Sequence, residues 1–142
     1  MQTSRILLTY AVSVPVFFAL DMLWLGVIAA KFYRKSLEPL LTPNVNWVAG
    51  LAFYFLFLGG VLVFALLPGM ERRSLVHTVA MAALFGFIAY ATYDLTNLAT
   101  LRGWPMTLSF VDMAWGSVLS ASTAAITYLI MSRVWPMPNG PS

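Results

Sequence analysis

The sequence predicts an all-α polytopic integral membrane protein, an antiparallel four-transmembrane-helix bundle. Three observations carry that prediction. Four apolar stretches of about 20 residues or more recur along the chain, each long enough at ~1.5 Å per residue to cross a hydrocarbon core of ~30 Å. Of the 142 residues, 61% are hydrophobic and only 9% charged, where soluble domains carry about 25% charged residues. Proline–glycine clusters and most of the charge fall between the stretches. A soluble domain of this length has too little interior to hide so much apolar surface. Helices are favoured over barrel strands because each satisfies its own backbone in lipid, and no strict two-residue alternation runs through the stretches. The chain reads as a single membrane domain over residues 1–142.

The first span is expected over about residues 6–30. Arg5 precedes it, and Ile28-Ala29-Ala30 loosely resembles a cleavage site, but the run is longer than a signal-peptide core and contains Asp21. It is read as a retained helix, with a kink at Pro15. A short interfacial segment follows over about residues 32–42, where Leu37, Leu40 and Leu41 alternate with polar residues. The second span covers about residues 47–67 and is expected to end at Pro68 and Gly69, with Gly59-Gly60 permitting close helix approach. The third covers about residues 77–99, with His77 at its start. Gly103 and Pro105 break the chain before the fourth, over about residues 108–131, and Pro136, Pro138 and Pro141 mark a frayed tail.

The net charge of +3 comes from basic residues scattered between spans, as membrane anchors are. They form no basic stripe, so membrane lipids are the expected partners and nucleic acid is not. The absence of cysteine excludes disulfides and thiolate chemistry. Nothing resembles a nucleotide-binding loop, a haem ligand pair or a catalytic triad, so no cofactor is expected. An even number of spans puts both termini on one side, A. Side A carries Arg5, Arg72, Arg73 and Arg133, and side B carries Lys31, Arg34, Lys35 and Arg102. The basic count ties, and the N-terminal amine inclines the assignment to cytoplasmic termini.

Three of the five acidic residues, Asp21, Asp94 and Asp112, lie inside spans. A central Asp costs roughly 2.5–3.5 kcal/mol on insertion scales, so such residues face the protein interior or a wet cavity. Antiparallel threading puts all three in the B-side half, about 6–14 Å below that surface. Tyr90, Tyr93, Asp94 and Asn97 share one face of the third span, at offsets of three, four and seven. Asp21 and Trp24 are three apart on the first span, as are Asp112 and Trp115 on the fourth, and Tyr54 lies at similar depth on the second. Asp21-Met22-Leu23-Trp24 matches Asp112-Met113-Ala114-Trp115 at three of four positions, a pattern an inverted repeat would leave. Arg102, beside Gly103-Trp104-Pro105, belongs to a basic and aromatic rim that could meet an anionic head group or serve as an ordinary aromatic belt. The candidate pocket is therefore Asp21, Trp24, Tyr54, Tyr90, Tyr93, Asp94, Asn97, Arg102, Asp112 and Trp115. Three Asp and Asn97 spread over three helices give no diagnostic metal spacing, and no metal site is assigned.

These residues carry a resemblance. Asp21-Met22-Leu23-Trp24-Leu25-Gly26, Phe32-Tyr33-Arg34, Pro43-Asn44-Val45-Asn46-Trp47, the long string from Tyr90 to Pro105 and Asp112-Met113-Ala114-Trp115-Gly116 together resemble the bacterial membrane-protein family catalogued as domain of unknown function 2177. The resemblance covers almost the whole chain. It implies a four-helix protein of the bacterial inner membrane and implies no activity.

Three functions from different classes fit the residues. The first is a pocket for a small molecule or lipid head group; were it catalytic, Asp94 or Asp112 would be the acid or base, Asn97 and Tyr93 would orient the ligand, and Arg102 would meet an anion. The second is a proton-coupled transporter, which four spans would favour as a dimer. The third is a non-catalytic accessory subunit of a larger membrane complex, with the Asp residues as interhelical clasps.

Overall fold

The four predicted stretches are helices in a computed structural model that describes residues 1–136. Among the described residues, four helices are long and apolar enough to span a membrane: Thr3–Ile28, Trp47–Glu71, Leu75–Thr100 and Met106–Val134. The first is α1 (Thr3–Leu23) continued by a π-helical turn at Trp24–Ile28. The chain then forms α2 (Ala30–Leu37) and a 3-10 turn (Glu38–Leu40) within the segment expected at the interface. The second span is α3 (Trp47–Val61), a π-helical turn (Leu62–Leu66) and α4 (Leu67–Glu71). The third and fourth are α5 (Leu75–Thr100) and α6 (Met106–Val134).

Local chemistry sets the helix starts. The Asn46 side chain accepts from the Ala49 N–H at 3.1 Å to cap α3. Ser74 Oγ accepts from the His77 N–H at 3.1 Å to cap α5. Pro105 stands at the head of α6, after Gly103 at φ +74° has turned the chain.

Two sequence expectations are corrected. Pro68 and Gly69 do not end the second span. The π-helical turn shifts the hydrogen-bond register, and Pro68 then falls in the first turn of α4, where its missing N–H leaves nothing unpaired. Gly69 instead lets the chain pass close to α5, since a methyl there would collide with Thr78. Gly59-Gly60 acts only by half, because a methyl at Gly60 would meet the Phe85 ring whereas one at Gly59 would meet nothing. Helix α1 runs through Pro15 unbroken, with that residue on the exposed face. The expected fraying at Pro138 and Pro141 lies outside the described residues.

The helices form a four-sided ring. α6 packs extensively against α5 and also against α1, and the second span closes the ring against α5 and α1. α5 and α6 approach each other closely. A methyl at Gly86 would run into the Gly116 carbonyl and the Ser120 side chain, and one at Gly116 would run into the Tyr90 ring. The Ser117 hydroxyl also donates across to the Ala83 carbonyl at 3.0 Å.

The polarity runs inside out, as expected where the solvent is lipid. α1 buries a stripe of five residues spaced four apart, Arg5, Thr9, Ser13, Phe17 and Asp21. Thr78, Asp94, Ser109, Ser120, Thr123 and Thr127 are also buried, while Leu7, Val27, Val48, Leu56 and Val76 are exposed. The apolar core centres on Phe17, Phe57, Leu58, Val61 and Leu119. Towards side B it stops. From Trp47 to Leu56 only Gly50 and Tyr54 of the second span are even half-buried. The first half of α3 thus stands off from the other helices and leaves space beside the acidic residues.

Candidate functional site

That space is a cavity of about 400 Å³. Asp21 and Leu25 of the first span reach it, with Tyr33 and Leu37 of α2, Phe53 and Tyr54 of α3, Ala89, Tyr90 and Tyr93 of α5, Leu108, Asp112 and Trp115 of α6, and Trp104 before α6. The volume lies in the range of small-molecule sites, and the lining is apolar and aromatic with a few polar groups, as such sites are.

A hydrogen-bonded frame holds the wall. The Trp115 indole N–H donates to Asp21 Oδ1 at 3.1 Å, tying α6 to α1. The Trp24 indole stacks on Trp115 with ring centroids 4.5 Å apart and planes 11° from parallel. Trp24 Nε1 donates to the Tyr33 hydroxyl at 3.2 Å, and that hydroxyl donates to Asp112 Oδ1 at 2.6 Å. Each Asp of the two matching strings is thus held by the opposite string's Trp, directly for Asp21 and through Tyr33 for Asp112. Burial raises the Tyr33 phenol above its ordinary range, and its bond to Asp112 raises it further, so it stays a donor. Trp104 packs edge-on against Tyr93 with centroids 5.5 Å apart, and its indole N–H donates to Ser109 Oγ at 3.0 Å.

The carboxyl groups converge from three helices. Asp21 is 1% exposed and Asp94 is fully buried, while Asp112 is half-buried and lines the cavity. Asp94 and Asp112 adjoin, and the field of Asp112 reaches Asp21. The Tyr54 hydroxyl stands beside Asp21. Yet neither oxygen of Asp94 has a hydrogen-bond partner, nor has Asp21 Oδ2. Buried acceptors left without donors cost about 1–3 kcal/mol each.

Of the ten residues singled out from the sequence, Asp21, Tyr54, Tyr90, Tyr93, Asp112 and Trp115 line the cavity. Trp24 and Asp94 stand directly behind the lining, one stacked on Trp115 and the other against Asp112. Asn97 is half-buried outside the lining, and Arg102 is exposed outside it. Among the described residues, no group of three acidic, His or Cys side chains is placed to hold a metal ion.

Tyr33, which bonds Asp112, is a lining residue outside those ten. A signal was present: Tyr33 and Leu37 lie four apart on α2, separated by Arg34, Lys35 and Ser36, and both face the cavity. Tyr33→Phe should remove the bond to Asp112 and strand the Trp24 indole. The expected loss is about 1–3 kcal/mol in thermal unfolding, with faster hydrogen exchange confined to α2. Unchanged exchange there would show that α2 is held by other contacts.

Comparison with known proteins places the chain in context. A family model described as "Predicted membrane protein (DUF2177)" matches residues 6–129. Neither a curated protein nor a solved structure matches it.

Proposed function

The chain belongs to the DUF2177 family of predicted membrane proteins, and from that premise we propose that its cavity is a binding site for a small molecule or lipid head group. One observation carries the reading: a cavity of about 400 Å³ opens at the depth where three intramembrane carboxylates meet from three helices. Ionisable residues inside a membrane are costly and mark sites of function by default. A purely structural clasp would pair its acids with donors. Here Asp94 and one oxygen of Asp21 are buried without any.

The protein resides in the bacterial inner membrane with cytoplasmic termini, a reading supported by the family resemblance and by the charge of the N-terminal amine. The cavity then faces the periplasmic half.

Filling the cavity tests the proposal without touching an acid. Ala89 lines the space with its methyl group, so Ala89→Phe places a ring inside it. The variant is expected to reach the membrane at wild-type yield. Native mass spectrometry of protein released from its own membrane should then show a bound adduct on the wild type that the variant lacks. The same adducts on both proteins would refute a site at this cavity.

A further inference from the structure

We propose that the ligand is an organic cation, an ammonium group carried on an apolar body, received by Asp21 and Asp112 with Asp94 behind them. The inference rests on the cavity being a binding site and goes on to name the chemistry it selects.

Charge comes first. Two aspartates line the cavity and a third stands behind Asp112, whereas no Lys, Arg or His side chain is among the described lining residues. The basic residues of side B lie elsewhere. Lys31, Arg34, Lys35 and Arg102 are all exposed. An anion entering the cavity would meet like charge in a low-dielectric wall, and a cation would meet opposite charge.

The hydrogen-bond inventory points the same way. The indole N–H groups of Trp24, Trp104 and Trp115 are already engaged, as is the Tyr33 hydroxyl. The fully buried atoms around the cavity that lack a partner are acceptors: Asp21 Oδ2, on a cavity-lining residue only 1% exposed with the Tyr54 hydroxyl beside it, and both oxygens of Asp94, which adjoins Asp112. A group completing this buried set must bring donors, as an ammonium does. Carboxylate, phosphate and hydroxyl-rich ligands bring acceptors instead.

Size and wall chemistry specify the rest. A bare metal ion fits poorly, since no ligating trio exists among the described residues and the space far exceeds one ion. Tyr90, Tyr93, Trp104 and Phe53 surround that space with aromatic rings, whose faces attract cations and whose bulk suits an apolar body. Both a free amine and the ethanolamine head group of a phospholipid carry this chemistry.

The test compares three probes of one shape. Delipidated protein in dodecyl maltoside is titrated calorimetrically with benzylammonium, benzyl alcohol and benzoate. Benzylammonium should bind about tenfold or more tightly than benzyl alcohol, and benzoate most weakly. Asp21→Asn should erase that preference while keeping the melting profile of a folded bundle, and Asp112→Asn provides a second variant should the first unfold. Added phosphatidylethanolamine that competes with benzylammonium, where phosphatidylglycerol does not, supports the proposal with a lipid as the source. Cation preference without such competition supports it with a free amine as the source. Equal binding of benzylammonium and benzyl alcohol would leave a binding site standing and overturn the cation. Tighter benzoate would overturn it too. Binding of none of the three, with the Ala89→Phe variant carrying the same native adducts as wild type, would remove the site itself.

Discussion

Gly86→Ala is expected to destabilise the bundle by about 1–3 kcal/mol or more, because there is no room for one methyl group where α5 crosses α6. The added carbon would occupy the same space as the Gly116 carbonyl and the Ser120 side chain. Ser120 can move, but the carbonyl belongs to helix backbone, so the helices must part. Parting them disturbs the site as well, since Tyr90 packs over Gly116 one turn nearer the cavity. Thermal unfolding in detergent checks the prediction. Gly59→Ala supplies the control: a methyl there meets nothing, so its stability should be unchanged or slightly raised by better helix propensity. Ser120→Ala should recover part of the loss in the double variant, because it removes one of the two obstructions and leaves the other. Equal stability of Gly86→Ala and Gly59→Ala would contradict the close crossing.

Asp94→Asn should do the opposite and stabilise the protein by about 1–3 kcal/mol while weakening the site. Asp94 is fully buried beside Asp112, and neither of its oxygens meets a donor. An asparagine has the same shape and carries two N–H donors that can face the Asp112 carboxylate. The replacement thus removes one of the two unsatisfied acceptors and the contact between two carboxyl groups, and benzylammonium binding should fall because the wall loses a carboxyl group. A higher melting temperature with weaker cation binding is the signature of a residue kept for function at the expense of stability. A lower melting temperature would identify Asp94 as a structural clasp instead, and would remove the main argument for ligand binding.

Much of this architecture is legible in one dimension. Four long apolar runs announce four spans, because a bilayer accepts only backbone that is internally hydrogen-bonded over about 20 residues. Depth is legible too. Once the spans alternate in direction, counting residues places Asp21, Asp94 and Asp112 in one half of the membrane. Helix rotation is less so. Each residue advances the helix face by about 100°, and the spacing of Tyr90, Tyr93, Asp94 and Asn97 defines a stripe without saying how much of it faces inwards. The packing of α5 on α6 turned Tyr90 and Tyr93 into the lining and left Asn97 outside it. Arg102, next to the stripe in sequence, is exposed.

The sequence by itself determined the class, the number and direction of the spans, and the shared depth of three acids, since length, apolarity and alternation are properties of the chain read in order. Tertiary structure decided which buried acid oxygens lack donors, that α2 brings Tyr33 to Asp112, that Gly86 and not Gly59 marks the tight crossing, and that no basic residue is among the described residues lining the cavity. Those features depend on the distance and angle between segments far apart in sequence. Packing fixes them, and local spacing does not encode them.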